Sequence, residues 1–584
     1  MYLGRVQVRN FRNFQSLDAH FRASAVVIGE NGVGKSNLLY ALRLVLDAGF
    51  SDAARQLKLS DIWDGCDLKA SPEVRIDLDL FDIDSDPNIT AVLTDYRPAS
   101  DPSIARLSYI FRKKADVAHA PASDADYEFL VFGGDTETRV IDGTVRRRIC
   151  VEVLGALRDA ESELNSWRQS PLRPLLEDAI ANVAQSDLDA VAAEVGVATN
   201  RLTALPPVKN LEDTLRADFI ALSGSIHDIK AKLGFAPADS RRLFRSIGLF
   251  IDDGRRAIAE ASLGSANLAL LTLKLAEFEW RRQKNERNYT LICIEEPEAH
   301  IHPQLQRSVF NKLFSREANH QAFLLTTHSP QLASVAPLLS IVLLRTSTSG
   351  TAAYSLSRAG LVANEIEDLQ RYLNATRAEI LFSRGVLFVE GDAEEALMST
   401  FAEACGTNLD ESGITVCNVG GVNFRPYVKL ALALRLPFAV ITDWDAAPSR
   451  PTPLGKKRAE DLMELIIGGR SAETDTLDGE EFRSLAAKQA IFLNSSTLET
   501  EVARTPGLVN PLLDVLERED FGSTRNGRIA AWRIEPSSID PAHLMSMVAS
   551  IGKGRLAGRL ASASGPLAAP DYIAAAIRHV RAGG

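Results

Sequence analysis

The sequence predicts an α/β protein: a mixed sheet carrying a phosphate-binding loop, a helical insertion, and a second α/β domain toward the C-terminus. Three observations carry this reading. The loop GENGVGKS (29–36) follows a short apolar strand and opens a helix, the context that a phosphate cradle requires. The apolar run LICI (291–294) ends in Glu295–Glu296 and is followed by the strand AFLLTTHS (322–329), the alternation of a parallel sheet. Far downstream, GVLFVEG (385–391) and PFAVITDWD (437–445) are two more apolar strands that end in acids.

The elements follow in order. Residues 3–9 alternate as a strand, and Ala25–Ile28 is a buried strand leading into the loop, with a helix over Asn37–Leu46. Residues 72–83 and 104–112 alternate again, as strands of a β-rich lobe. Residues 150–235 read as mostly helical, broken at Pro171, Pro174 and Pro206–Pro207, with no sustained heptad. This is an insertion suited to a dimerisation arm. Residues 262–280 form an apolar helix, 346–352 (TSTSGTA) a turn between strands, and 364–383 a connecting helix. A new α/β unit opens at Gly385–Glu390, and 446–456 and 563–570 are loops. The implied domains are 1–165 and 241–375 for the two parts of the first sheet domain, 166–240 for the insertion, and 380–584 for the second domain.

Length and composition bound the class. A chain of 584 residues exceeds a single hydrophobic core, so two to four domains are expected. Apolar content of 46% and charged content of 24% are ordinary for a globular protein. No run of 18 apolar residues and no secretory h-region is present, so neither membrane nor export is expected and the simple reading is cytoplasmic. Five cysteines without a CxxC pair suggest neither disulfides nor zinc. A net charge of −11 leaves room only for local basic stripes, such as Arg146–Arg148, Arg241/Arg242/Arg245, Arg281/Arg282/Lys284, Lys456–Arg458 and Lys553/Arg555/Arg559. Taken singly, each stripe reads first as a solvated face.

The loop chemistry is specific. Gly29, Gly32 and Gly34 let the backbone wrap so that N–H groups point at a phosphate, with Asn31 in the same turn. Lys35 adds a charge near the β and γ oxygens, and Ser36 is a Mg2+ ligand at the helix start. Glu295 is placed to hold Mg2+, and Glu296 to orient or deprotonate the attacking water. His328, ending the next strand, is placed to sense a γ-phosphate. ATP and Mg2+ are the implied cofactors. In the second domain, Glu390 with Asp443 and Asp445 would converge on one sheet edge if their strands are adjacent and parallel. Hard oxygen donors at that density suit Mg2+ or Mn2+. Asp392 reads equally as a helix cap.

The first set of motifs resembles the ABC-type ATPases of the SMC/RecF group. That resemblance places Ser262 and Gly264 in the signature motif completing a partner's nucleotide site, although the familiar double glycine is missing. FRNF (11–14) resembles the N-terminal strand of the group, or is simply an apolar hairpin. The strand-end Glu with Asp-x-Asp resembles the Toprim fold. An ABC-type ATPase followed by Toprim is the layout of the OLD family (overcoming lysogenisation defect), which EEPEAHIHP, TTHSP and VEGDAE resemble. LGALRDAE (154–161) resembles its ATPase lobe.

That family resemblance implies two-metal DNA cleavage. It carries metal roles onto Glu390, Glu394, Asp443 and Asp445, a further ligand role onto Glu499 in STLETEV, and a charge-stabilising role onto Lys553 in IGKGRLAGRLA. It implies DNA as partner, a homodimer or higher homo-oligomer, and in one branch a UvrD-like helicase and Gabija-type phage defence. Phage defence or DNA repair is the expected setting. Other classes are a SMC/RecF-like DNA-tethering ATPase without nuclease activity, and a primase- or topoisomerase-like enzyme, for which no tyrosine or zinc context is found.

Overall fold

The computed structural model describes the chain apart from residues 156–159, 168–169, 224–232, 234–246, 252–253, 259–260, 300, 316–319, 374–376, 447–451, 470–476, 478, 520, 564–566 and 584. Residues 156–159 of LGALRDAE (154–161) and the Arg241/Arg242/Arg245 cluster lie outside the described residues.

The chain divides into two compact units. One comprises Met1–Leu154, Tyr289–Glu298 and Pro303–Gly584, and the other Gly155–Asn288 with Ala299–His302. The first unit holds two sheets. The strands of the larger are β1 Tyr2–Phe11, β2 Phe14–His20, β3 Ala25–Gly29, β4 Val74–Phe81, β5 Ala105–Lys113, β6 Tyr127–Gly133 and β7 Ile149–Leu154. After β8 Phe250–Ile251 and β9 Arg256–Ala257, a small hairpin of the second unit, come β10 Tyr289–Glu295, β11 Gln321–Thr327, β12 Ile341–Ser347 and β13 Gly350–Ser355. The order is β6-β5-β4-β1-β2-β13-β12-β3-β11-β10-β7.

Within it, β12, β3, β11, β10 and β7 run parallel, whereas β1, β2, β4, β5 and β6 are antiparallel. The reason is local. Val26, Val27 and Ile28 are wholly buried, as parallel strands covered on both faces must be. The antiparallel lobe instead tucks acids into its sheet, where Asp79 pairs with Arg106 at 2.7 Å and Asp77 accepts from Ser108 at 2.6 Å.

The smaller sheet contains β14 Gly385–Val389, β15 Ile414–Asn418, β16 Phe438–Thr442 and β17 Ile491–Leu493, all parallel in the order β15-β14-β16-β17. β14 and β16 are direct neighbours, with Phe388 beside Val440. The residues that follow these strands, Glu390 and Asp443, therefore emerge on one edge.

Three expectations are corrected. Residues 149–154 are strand β7, not the start of a helical region. Ile149, Val151 and Val153 are β-branched, and the strand pairs with β10 from Tyr289 to Ile294. A helix does end before Pro206–Pro207, at Thr203, and a new one does start after Pro171, as expected, but Pro174 breaks none. Pro206 is the first residue of Pro206–Ser223, and Pro174 lies in the first turn of Leu172–Ala181, where its missing N–H costs nothing. The reading of 364–383 as one helix also changes: Ala363–Tyr372 is followed by a separate 3-10 turn, Arg377–Phe382.

One arginine joins the two sheets of the first unit. Arg345 of β12 donates to the carbonyls of Arg384 and Arg435 at 2.8 and 2.9 Å. These residues stand just before β14 and β16. Arg384 in turn pairs with Glu30 of the phosphate loop at 2.8 Å. Among the described residues, no helix is long and apolar enough to cross a membrane.

Candidate active sites

β3 delivers Gly29 to the carboxyl edge of the larger sheet, and helix Lys35–Leu46 starts six residues later. Gly32 and Gly34 sit at φ 76° and 104°, a region that favours glycine. A Cβ on Gly34 would also come within 2.2 Å of the Asn13 amide. Asn13 is a residue the sequence reading left without a role. Its amide donates to the Val33 carbonyl at 2.6 Å and to the Thr351 hydroxyl at 2.8 Å, and Asn37 donates back to Asn13 Oδ1 at 2.7 Å. FRNF is thus the β1–β2 turn, and it braces the phosphate loop from outside.

Lys35 is buried, and its Nζ donates to the carbonyls of Gly29 and Glu30, both at 2.9 Å. Burial pulls its pKa down to about 8, against the opposing charges of Glu296 and Glu298. An anion at this loop would restore the charge balance that burial removes. Asn31 and Ser36 are exposed on the same loop and helix start.

Across the sheet edge, Glu295 ends β10 beside Thr326 of β11. Glu296 has a left-handed backbone, φ 41°, and its carboxylate lies 3.7 Å from His328 Nε2. Burial lowers the His328 pKa, with Lys35 acting in the same direction, so the imidazole is neutral near pH 7. Nothing local in the sequence marks Glu298. Its Oε1 accepts from the Thr327 hydroxyl at 2.6 Å and the His328 N–H at 2.9 Å, fixing the turn that presents His328. Its Oε2 is buried without a hydrogen-bond partner.

Ser262 and Gly264 belong to the helical unit. They open the helix Leu263–Gln283, where Ser262 Oγ accepts from Ser265 N–H at 3.3 Å as an exposed N-cap.

The second site sits on the smaller sheet. Glu390 Oε1 accepts from the Asp443 N–H at 3.0 Å and from the Thr442 hydroxyl. The Asp443 carboxylate is buried and accepts from Asn494 Nδ2, while Asn494 Oδ1 accepts the Trp444 N–H at 2.9 Å. Asn494, just beyond β17, is another residue the sequence did not flag. Glu394 lies on helix Asp392–Ala404 and accepts the Gly391 N–H at 3.2 Å. Glu499 is buried on helix Leu498–Arg504 and pairs with Lys553 at 2.9 Å, while its Oε2 is buried and unpartnered. Asp392 and Glu395 are drawn aside by Asn418 Nδ2, at 2.8 and 3.0 Å.

The electrostatics show carboxylates crowded together. Burial, with Glu390, Glu394 and Glu499 nearby, pushes Asp443 up to about 8 against the Asn494 hydrogen bond. Burial, with Glu390 and Glu499, pushes Glu394 up to about 7. Burial pulls Lys553 down, but its bond to Glu499 and the surrounding acids outweigh this, and its pKa ends above the usual lysine value.

Arg458 corrects the expectation that Lys456–Arg458 face outward as a basic stripe. Its guanidinium reaches Glu390 at 2.7 Å and Asp445 at 2.8 Å, while Lys456 lies 5.3 Å over the Phe482 ring. Among the described residues, no three His, Cys, Asp or Glu side chains are gathered at metal-ligand spacing. The donor chemistry nonetheless fits a divalent cation: burial and the neighbouring acids Glu390 and Glu499 raise the pKa of both Asp443 and Glu394, and Glu499 has an orphaned buried oxygen.

Comparison with known proteins places this geometry in context. Residues 381–445 match the Overcoming lysogenization defect protein-like TOPRIM domain, and residues 1–138 and 149–333 match the AAA ATPase domain. The OLD nuclease of Thermus scotoductus is 25% identical over 524 residues, 85% of this chain and 91% of that protein. Endonuclease GajA of Bacillus cereus VD045 is 23% identical over 493 residues, 82% of this chain and 81% of that protein. The solved C-terminal region of the Burkholderia pseudomallei OLD protein is 36% identical, covering 35% of this chain and 100% of that one, with a TM-score of 0.31.

Proposed function

The chain belongs to the OLD family, with an AAA ATPase domain and a Toprim domain in one polypeptide, and from this premise we propose that it is an ATP-dependent, divalent-metal-dependent DNA endonuclease or nickase. The observation that carries the reading is the meeting of Glu390 and Asp443 at the ends of adjacent parallel strands, with Asp443 N–H donating to Glu390 at 3.0 Å. Glu390, Glu394, Asp443, Asp445 and Glu499 would hold Mg2+ or Mn2+. Such a cation supplies Lewis acidity and lowers the pKa of a water for attack on a phosphodiester.

The chain's own residues do the rest. Asn494 fixes the rotamer of Asp443. Lys553, charged and half exposed, places a cation beside Glu499, where negative charge builds up on a cleaved phosphate. At the other site the loop N–H groups, Lys35 and Ser36 bind the phosphates of ATP. Glu296 orients the hydrolytic water, and neutral His328 offers a hydrogen bond to the γ-phosphate. Ser262 and Gly264 would complete the site of a second copy, making the active form a homodimer or higher homo-oligomer. The sequence reading adds a cytoplasmic place, and the resemblance adds a setting in phage defence or DNA repair, with a UvrD-like helicase as the further partner in one branch.

The test is supercoiled plasmid incubated with Mg2+ or Mn2+, with and without ATP. Nicked or linear product supports the reading. Plasmid left supercoiled in every condition overturns it and leaves a DNA-tethering ATPase.

Two further outcomes are expected. Carboxyls must shed their protons to hold a cation. With Glu394 near 7 and Asp443 near 8, Mn2+ binding at pH 7 should release roughly one proton or more, and affinity should rise as pH climbs toward 8. Calorimetry in buffers of different ionisation enthalpy measures this directly, and heats indifferent to the buffer would contradict it.

The Arg345 clamp carries the second. It holds the starts of β14 and β16, and Glu390 lies about 20 Å along β14 from Arg384, which itself pairs with Glu30. Arg345→Ala should leave hydrolysis of ATP and metal-dependent cleavage in place but abolish the dependence of cleavage rate on ATP. An unchanged ATP response in the variant would show that the clamp carries no coupling.

A further inference from the structure

Arg458 is the nearly buried cation of the acidic site. It lies on the helix Leu454–Ile467, whose first turn is pressed onto the Asp443–Asp445 segment. The Gly455 N–H donates to the Trp444 carbonyl at 3.0 Å, and a Cβ on Gly455 would lie 2.1 Å from the Asp443 carbonyl. This close approach brings the base of Arg458 beside the site one turn later. The side chain is only 11% exposed. Its Nη1 donates to Glu390 Oε1 at 2.7 Å, to the Thr442 hydroxyl, and to the Asp443 carbonyl at 3.4 Å, while Nη2 donates to Asp445 Oδ2 at 2.8 Å.

The five acids thus fall into two halves. Glu394, Asp443 and Glu499 face Lys553 and Asn494, and one Glu499 oxygen has no partner. Glu390 and Asp445 are bridged by a guanidinium standing where a cation would stand. Two half-buried carboxylates without a counter-ion are costly, which accounts for the arginine. An arginine does not shed its proton, so a divalent cation reaches these two oxygens only if the side chain moves. Once moved, its planar fork of donors suits a phosphodiester.

We infer that Arg458 is a resident counter-ion of Glu390 and Asp445 that a divalent cation displaces, so that loading this half of the site and freeing a guanidinium for the DNA backbone are one event. The inference rests on the metal-dependent reading above.

The test uses the full, nucleotide-free chain and Mn2+ alone. Calorimetry on the wild type should resolve a weak site that Arg458→Gln tightens at least tenfold. Arg458→Lys, which keeps the charge but not the fork, should fall between. In EDTA, R458Q should melt below the wild type, and saturating Mn2+ should close or reverse the gap. An R458Q affinity equal to or weaker than wild type overturns the inference, as does a melting deficit that is the same with and without Mn2+. If R458Q does not fold, R458K decides: tighter binding than wild type supports displacement, and equal or weaker binding overturns it. A chain that binds no Mn2+ at all overturns the metal reading along with this inference.

Discussion

Asp443→Asn is expected to lower DNA cleavage by roughly 10^3-fold or more, a loss of about 4 kcal/mol of transition-state stabilisation, while ATP hydrolysis stays at the wild-type rate. Asparagine keeps the shape of the side chain and an oxygen for the Asn494 amide, but not the charge that a cation requires. The same change should raise the melting temperature in metal-free buffer, because Asp443 sits among Glu390, Glu394 and Glu499 with its pKa pushed up to about 8. The sign follows from linkage. A carboxyl that binds its proton more tightly in the fold than in the open chain costs the fold stability as pH rises from about 3.9, and the full cost is reached above about 8. D443N should flatten that slope between pH 5 and pH 8. A variant that cuts plasmid like the wild type, or that melts lower at pH 8, would contradict the role given to this acid.

Glu296→Gln should lower ATP hydrolysis by roughly 10^2- to 10^3-fold while ATP binding is retained. Glu296 carries a left-handed backbone at φ 41°, lies 3.7 Å from His328, and is near enough to Lys35 to oppose the fall of that lysine's pKa. Glutamine keeps the length and loses only the base. Lys35→Ala removes the buried charge of the loop and should instead weaken ATP binding itself. Filter binding of labelled ATP alongside phosphate release separates the two. Hydrolysis by E296Q at the wild-type rate would transfer the water-orienting role elsewhere, with Glu295 and Glu298 as the neighbours to examine.

Much of this fold was readable from local pattern because its central strands are continuous apolar runs. LICI, GVLFV and FAVIT are each bounded by turn or acidic residues and appear as β10, β14 and β16. The loop GENGVGKS was readable because its chemistry lies within eight consecutive residues. The residues that escaped are those whose partners lie far away in sequence. Asn13 braces Val33 and reaches Thr351, 338 residues downstream. Asn494 holds Asp443 across 51 residues, and Arg458 bridges Glu390 across 68. A polar residue beside a turn, or an arginine among lysines, has no local pattern that distinguishes it from a surface residue. Only the parallel order β14-β16-β17 brings these groups together. Strand β7 escaped for a different reason: six residues at the rim of a helical stretch are too few to establish a period of two against one of 3.6.

The central claim is that acids from separate strands and helices, Glu390, Glu394, Asp443, Asp445 and Glu499, share a divalent cation. Its most direct measurement is anomalous diffraction from crystals of the full chain soaked in Mn2+. At least one anomalous peak is expected within about 2.5 Å of the Asp443 carboxylate and of a second member of this set. Crystals whose Mn2+ peaks lie only elsewhere, with these carboxylates still bound to Arg458, Asn494 and Lys553, would contradict it.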